Sequence, residues 1–132
     1  MGTGDGTTLA RVTLPTDYAV ALVLPYDAEK ESTRAVYEAF DARQGHAGFT
    51  ERRDALRAAL GRVRAATDLA ALPPNDLASS PVSAELGSRG AFRADVTGAG
   101  PVVYGLFARL DDATRAAESL RAYGRTWVTT PA

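Results

Sequence analysis

Two strands separated by a glycine turn are predicted by residues 91–108, which read AFRADVTGAGPVVYGLFA. Phe92, Ala94 and Val96 alternate onto one face, a pattern typical of a half-buried strand. Residues 97–101 form the predicted turn, because glycine adopts positive φ angles at little steric cost. Residues 102–108 are more strongly apolar and predict a second strand.

A helix and a last strand are predicted after this hairpin. Asp111 is the expected cap of the helix, and Gly124 is the expected residue at its C-terminal end. Residues 125–130, with Trp127 and Val128, predict the strand. The residues expected to face the core from the helix are Ala113, Ala116, Ala117 and Leu120.

The clearest strand before the hairpin is the apolar run of residues 18–24, which Pro25 ends. Because it is apolar throughout, we expect it to be central and covered on at least one face. Residues 7–14 predict a short edge strand before it.

Helices are expected between residue 32 and residue 86. Ser32 is the expected cap of the first helix, and Thr50 of the second. Residues 75–86 predict a third helix if Pro81 lies near its start. The expected apolar face of the first helix comprises Thr33, Val36, Tyr37 and Phe40. That of the second comprises Leu56, Ala59, Leu60 and Val63.

This order of elements predicts the fold class. From residue 18 onward it is strand, helices, strand, strand, helix, strand. That is the order of an α+β ferredoxin-like, split βαβ fold, here with extra helices in the first crossover.

Composition limits the function classes. The 132 residues suffice for one domain, and 15 basic against 16 acidic residues give a net charge of −1. We therefore expect neither nucleic acid nor a membrane as a partner. The absence of cysteine excludes disulfides and thiolate metal sites and fits a cytoplasmic location.

Few residues offer catalytic chemistry. The sequence has one histidine, His46, in a glycine-rich loop, and one lysine, Lys30, in a polar turn. For both we expect an exposed position, and no metal site is expected. The arginines of residues 52–64 alternate with Glu51 and Asp54, which is typical of a solvated helix face.

The glycine turn, Thr97-Gly98-Ala99-Gly100, allows two interpretations. It is either a plain hairpin turn or a set of backbone N–H groups that bind an anion such as a phosphate.

The segment DVTGAGPVVYGLF, residues 95–107, resembles the third motif of the GHMP kinase superfamily, roughly [ST]-G-[SAT]-G-[PA]-x-x-[FY]-G-L-F. Three shorter segments resemble other motifs of this superfamily, in the same order along the chain. They are residues 4–9 (GDGTTL), 32–37 (STRAVY) and 75–77 (NDL). Within the superfamily the pattern is most similar to that of the 4-diphosphocytidyl-2-C-methyl-D-erythritol kinases, and the last helix and strand fit it too.

The chain departs from this pattern at three positions. Ala99 stands where serine is common, so no hydroxyl is available there. Ala78 replaces the glutamate that usually follows N-D-L, and Asp5 is shifted from the usual glutamate. The backbone chemistry of the turn is unaffected by these differences.

The resemblance implies roles for particular residues. Tyr37 matches the aromatic position on which the family stacks cytosine, although a core aromatic is the alternative. Thr33, one turn earlier, is expected to hydrogen-bond near the base. Residues 97–100 are expected to line the phosphate region. For Asn75 and Asp76 a structural role as helix caps is preferred.

The resemblance also implies a partner. Family members are about twice as long, and their N-terminal half supplies a catalytic lysine, a catalytic aspartate and an ATP-binding loop. We expect residues 1–132 to be the C-terminal domain alone, with that half missing. ATP and Mg²⁺ belong to the complete enzyme, so the isolated chain is expected to bind a cytidine-containing substrate weakly and to be inactive.

Two alternatives remain open at this stage. One is a stand-alone ferredoxin-like module for binding or dimerisation, and the other is a GHMP kinase that acts on a different alcohol. We also expect weak self-association through apolar groups beside the glycine turn, which the missing half would cover.

Overall fold

Four of the five predicted strands form one antiparallel sheet in the computed structural model, which describes residues 2–3, 7–28 and 32–132. The strands in these ranges are β1 (Gly2–Thr3), β2 (Thr8–Leu9), β3 (Ala19–Pro25), β4 (Arg93–Val96), β5 (Val103–Phe107) and β6 (Gly124–Thr129). The helices are α1 (Thr33–Ala42), α2 (Phe49–Arg62), a 3-10 helix (Ala66–Ala71), α3 (Val82–Ser88) and α4 (Leu110–Ser119).

The four main strands lie in the order β4-β5-β3-β6, and all neighbours are antiparallel. Strand β3 is central, as its apolar sequence predicts. It pairs with β5, where Ala21 lies opposite Gly105, and with β6, where Ala21 lies opposite Val128. β5 lies between β3 and β4, which is the split βαβ arrangement. The α+β ferredoxin-like prediction is confirmed.

One face of the sheet carries the main core. Helix α4 buries three alanines, Ala113, Ala116 and Ala117, and their small side chains let the helix axis approach the sheet closely. The prediction for this helix face is confirmed, because Leu120 is also fully buried. The other buried residues of this core are Ala19, Ala21, Val23, Val82, Leu86, Val96, Val103 and Phe107.

The opposite face is covered only in part. Val63, Leu69 and Leu106 form a second, smaller buried cluster against Val20 and Tyr104. This cluster lies over the β4–β5 side of the sheet. On the β6 side, Trp127 is paired with Leu22 and is 49% exposed.

Helix α1 begins where the sequence predicts. The Ser32 hydroxyl accepts a hydrogen bond from the Ala35 N–H at 3.1 Å, so Ser32 is its N-cap. Val36 is the buried residue of this helix.

Helix α2 corrects two predictions. It begins at Phe49 after Gly48, which has φ +70° and is the N-cap position, so Thr50 is not the cap. None of its residues is buried, and Leu56 is 37% exposed. Val63 is buried, but it follows the helix. The apolar spacing predicted the helix correctly, but α2 packs mainly against the 3-10 helix and its apolar face stays largely uncovered.

The third helix is shorter than predicted. α3 begins at Val82, with Pro81 at the cap position as its fixed φ favours. Residues 75–80 are not helical, because the Asn75 side chain accepts from the Leu77 N–H at 2.9 Å and so forms a local turn.

The predicted strand over residues 7–14 is mostly wrong. Only Thr8 and Leu9 are in a strand, and they pair with β1 in a separate two-stranded sheet. Leu9, Val12 and Leu14 are all exposed, so this segment has no buried face to fix a longer strand. The expectations for residues 4–6 and for Lys30 lie outside the described residues.

The structure also differs from the prediction at both ends of α4. The helix begins at Leu110 after Arg109. Asp111 lies in its first turn, where a carboxylate interacts favourably with the helix dipole. Gly124 is the first residue of β6 and not a helix terminator. A Cβ at this position would lie 2.2 Å from the Leu24 carbonyl oxygen, so only glycine permits this approach of two strands. No helix in the described ranges is long and apolar enough to span a membrane.

Candidate functional site at the glycine turn

An open cleft of about 890 Å³ lies beside the glycine turn. Its walls come from α1, from residues 77–82, from the glycine turn and from the connections that follow β3 and α4. The residues that line it include Tyr26, Val36, Arg43, Leu77, Ala99 and Gly100. The cleft therefore joins segments far apart in the sequence.

The glycine turn is tightly closed between β4 and β5. The Thr97 N–H donates to the Val102 carbonyl at 2.8 Å, and the Gly100 N–H donates to the Thr97 carbonyl at 2.8 Å. The Thr97 hydroxyl donates to the same Val102 carbonyl at 3.1 Å, so it is engaged within the turn. Gly98 and Gly100 have φ +50° and +84°, and the Gly100–Pro101 peptide bond is cis.

Two donors in this turn are free for a ligand. Within the described ranges, no hydrogen bond is formed by the N–H groups of Gly98 or Ala99. A Cβ built on Gly98 meets no atom within 4 Å, so the space over the turn is open. Successive N–H groups in such a turn attract anions.

Asn75 fastens the turn to the cleft wall. Its Nδ2 donates to the Gly98 carbonyl at 2.7 Å and to the Val96 carbonyl at 2.9 Å. Its own N–H donates to a carboxylate oxygen of Asp95 at 2.7 Å. Asn75 has a structural role, as predicted. It does not cap a helix, however, but holds the glycine turn.

A largely buried ion pair supports Asn75. Arg93 and Asp95 have side chains that are each 13% exposed, with nitrogen and oxygen 3.6 Å apart. The Arg93 guanidinium also donates to the Leu72 and Pro73 carbonyls at 2.6 and 2.8 Å, and to the Tyr104 hydroxyl at 2.8 Å. The N–H groups of the Arg93 guanidinium are thus all engaged with protein acceptors, and these bonds fix residues 69–75 to β4.

Sequence reasoning missed this pair, although a signal for it exists. Alternation puts Arg93 and Asp95 together on the face opposite Ala94 and Val96. Two opposite charges at i and i+2 of an otherwise apolar strand indicate a paired site, because unpaired charges are rarely buried.

Arg43 joins α1 to the same wall. It follows the helix, and its guanidinium donates to the Asp76 and Leu77 carbonyls at 2.6 and 3.2 Å. Arg52 of α2 reaches the Asp76 carboxylate at 3.3 Å. Residues 76–77 therefore connect both helices to the glycine turn through Asn75.

The predicted base-binding residues lie elsewhere on α1. Thr33 and Tyr37 are exposed, and neither lines the cleft, whereas Val36 and Arg43 do. Tyr37 is 51% exposed, so it is not a core aromatic in the described structure. Of the predicted site residues, the structure brings Ala99 and Gly100 to the cleft and leaves Thr33 and Tyr37 on the outer side of α1.

The glycine turn offers hydrogen-bond donors to an anion such as a phosphate. Within the described ranges, no group of three or more acidic or histidine residues is placed to hold a metal ion. The free N–H groups of Gly98 and Ala99 can donate to phosphate oxygens.

Comparison with known proteins places this turn within a known family domain. Residues 82–126, from α3 to β6, match the family model described as GHMP kinases C terminal. Over these residues the chain is similar to the C-terminal domain of GHMP kinases. The glycine turn lies near the middle of this domain, and the segment that Asn75 belongs to precedes it.

One solved structure is similar over nearly the whole chain. A crystal structure of 4-(cytidine 5'-diphospho)-2C-methyl-D-erythritol kinase superposes with a TM-score of 0.65 at 25% identity, over 96% of this chain and 47% of that one. A crystal structure of homoserine kinase from Cytophaga hutchinsonii superposes with a TM-score of 0.49 at 14% identity, over 92% and 44%. The chain thus spans about half the length of these kinases. No curated protein matches the sequence.

Proposed function

We propose that the chain is the substrate-binding domain of an ATP-dependent, cytoplasmic kinase for 4-(cytidine 5'-diphospho)-2C-methyl-D-erythritol, an enzyme of non-mevalonate isoprenoid biosynthesis. The observation that carries the proposal is the glycine turn, with two free N–H groups beside a cleft, in a chain similar to such a kinase over 96% of its length.

Each part of the turn has a task in this proposal. The N–H groups of Gly98 and Ala99 hold phosphate oxygens of the substrate and stabilise negative charge as the phosphoryl group moves. Asn75 keeps these donors in place, and no side-chain rearrangement is required when the ligand arrives. ATP supplies the phosphoryl group, and a separate N-terminal domain supplies the ATP-binding and catalytic residues together with the Mg²⁺ site.

Tyr37 is the proposed base-binding residue. Its half-exposed ring offers a flat face on which cytosine stacks, and stacking of one base stabilises a complex by about 1–3 kcal/mol. Thr33 lies one helical turn earlier, within reach of the edge of a base stacked there. Because this face of α1 lies outside the cleft, the substrate extends over α1 from the cytidine at Tyr37 to the phosphates at the turn.

The test is a titration of the ¹⁵N-labelled chain with CDP, followed by NMR amide shifts. We expect weak, saturable shifts at Gly98, Ala99 and Gly100, and a smaller effect with cytidine, which has no phosphate. Shifts that do not saturate, or that avoid this turn, contradict the proposal and favour a stand-alone module. Equal binding of CDP and UDP contradicts the cytidine assignment alone.

A pair of glycine variants separates ligand binding from backbone strain. Gly98→Ala places a methyl group over the donors, whereas Gly90→Ala introduces the same strain away from the cleft. Both glycines have positive φ and no atom within 4 Å of an added Cβ. We expect Gly98→Ala to weaken CDP binding about tenfold and Gly90→Ala to leave it unchanged, with similar losses of stability.

The base and phosphate contacts are separated by a tyrosine variant. Tyr37→Ala is expected to weaken CDP binding about tenfold and to leave pyrophosphate binding unchanged. Tyr26→Ala is the matched control, because Tyr26 is 67% exposed and belongs to the cleft wall. An equal loss of affinity in both variants excludes Tyr37 as the particular base contact.

A further inference from the structure

The two edges of the main sheet differ in how their backbone groups are used. On the β4 edge, Asn75 donates to the Val96 carbonyl, and Arg93 fixes residues 69–73 alongside the strand. On the β6 edge, the described residues contribute no such cover. Unpaired edges are sites where another strand adds to a sheet.

The register of β6 shows which of its groups are free. Tyr26 donates to the Tyr123 carbonyl at 3.0 Å, so hydrogen-bonded pairs alternate from that point along the β3–β6 ladder. Arg125, Trp127 and Thr129 therefore direct their backbone N–H and C=O groups toward β3. Thr126 and Val128 direct theirs away from the sheet, and no hydrogen bond to them is formed within the described ranges.

Trp127 lies at the centre of this free edge. It is paired with Leu22 on the sheet face opposite α3 and α4, and it is 49% exposed. It is the single tryptophan of the sequence. A large aromatic side chain on an edge strand, half in water, is a typical anchor of an interface.

We propose that β6 pairs with β6 of a second copy of this chain, antiparallel and centred on Trp127. Thr126 then lies opposite Val128 of the second copy, and four hydrogen bonds form between their backbone groups. Trp127 lies opposite its own counterpart in a non-hydrogen-bonded pair, where side chains are closest. The two sheets become one sheet of eight strands around a two-fold axis.

Charge disfavours one alternative register. Arg125 is the one charged residue of β6, and in the Trp127-centred register it faces Thr129 of the second copy. A register centred on Arg125 would place the two arginines opposite each other, which is destabilising. The neighbouring helix α4 carries both acidic and basic side chains, namely Asp111, Asp112, Arg115 and Glu118. Two copies of α4 therefore do not repel each other as surfaces of one charge would.

This surface is distinct from the apolar groups beside the glycine turn, and the proposal does not depend on the kinase assignment. Sedimentation of the purified chain over a range of concentrations gives the first test. We expect a reversible dimer, together with a blue shift of tryptophan emission as concentration rises, because Trp127 becomes buried. A monomer at all concentrations, or a dimer whose emission equals that of the monomer, overturns the proposal.

Two variants test the register. Thr126→Pro removes an outward N–H and keeps every β3–β6 bond, since proline is tolerated on a free strand edge. Trp127→Lys places like charges opposite each other. We expect both to raise the dimer dissociation constant at least about tenfold. Phe49→Lys, at a side chain 61% exposed on α2, is the matched control and leaves dimerisation unchanged.

The folding of each variant is measured independently by circular dichroism and thermal unfolding. If Thr126→Pro fails to fold, Trp127→Lys still decides, because it changes only a half-exposed side chain. A folded Trp127→Lys variant that dimerises like the unchanged chain contradicts the proposal.

Discussion

Helices α4 and α2 differ both in how strongly their apolar residues gather on one face and in what covers that face. α4 has 10 residues and buries three alanines against the sheet. α2 has 14 residues, with leucines and alanines at helical spacing, and buries none of them. Leucines and alanines at helical spacing thus predict a helix, but they do not by themselves show that a core covers them.

The largest expected contrast comes from one leucine in each region. Leu120, which caps α4, is fully buried, whereas Leu56 of α2 is 37% exposed. Leu120→Ala is expected to lower the free energy of unfolding by about 3 kcal/mol, because it leaves a cavity. Leu56→Ala is expected to change it by less than about 0.5 kcal/mol. Urea unfolding measures both, and equal losses would mean that α2 packs as tightly as α4.

A glycine from each region sharpens the comparison. Gly124→Ala forces a methyl group against the Leu24 carbonyl, with an expected loss of about 2–3 kcal/mol. Gly61 of α2 has no atom within 4 Å of an added Cβ. Gly61→Ala is therefore expected to stabilise the protein by about 0.5–1 kcal/mol through helix propensity. Thermal unfolding gives the sign of each effect, and a destabilised Gly61→Ala variant would reveal contacts on that side of α2.

A smaller effect is expected at the boundary between the two regions. Asn75→Ala keeps the backbone N–H bond to Asp95 but removes the side-chain bonds to the Leu77 N–H and to the Val96 and Gly98 carbonyls. We expect a loss of about 1–2 kcal/mol and faster amide hydrogen exchange at residues 98–100. The control is Asp76→Ala, which removes one exposed ion pair with Arg52. Unchanged exchange in Asn75→Ala would show that the turn holds its shape alone.

The smallest effect concerns the 3-10 helix that follows α2. Hydrogen bonds from the Ala65 and Arg64 N–H groups hold the pKa of Asp68 below its ordinary value. A lowered pKa means that this stabilisation is present at neutral pH and is lost as the pH falls through the folded-state pKa. We expect Asp68→Asn to lower the melting temperature slightly at pH 7, and the difference from the unchanged chain to shrink below pH 4. A difference independent of pH would show that the carboxylate charge is not involved.

Much of the sheet and of α4 could be predicted from the sequence. The apolar run before Pro25, the hairpin around the glycine turn and the alanines after residue 112 each follow from local periodicity, and the structure confirms their positions. Their order along the chain then restricts the topology to very few possibilities. The predictions that were wrong concern helix caps, the strand over residues 7–14, the start of the third helix and the covering of α2. At these places local patterns compete or a distant partner decides.

The candidate site was predictable only at the turn itself. Gly98 and Gly100 are informative because positive φ leaves few alternatives to glycine. The contacts of Arg93 with the carbonyls of residues 69–73 join segments about twenty residues apart, and no local pattern encodes them. The same holds for Arg43 and residues 76–77. Side chains that bind backbone carbonyls leave no complementary residue type in the sequence.

The central position of β3 affects how the chain folds during its synthesis on the ribosome. β3 ends at residue 25, yet its partners are residues 103–107 and 124–129. During synthesis this apolar strand therefore stays without both of its partner strands until almost all of the described chain has been translated. Such non-local pairing slows folding and exposes an aggregation-prone segment in the meantime. The nascent chain consequently depends on late closure of the sheet, because its most apolar strand is synthesised well before either of its neighbours.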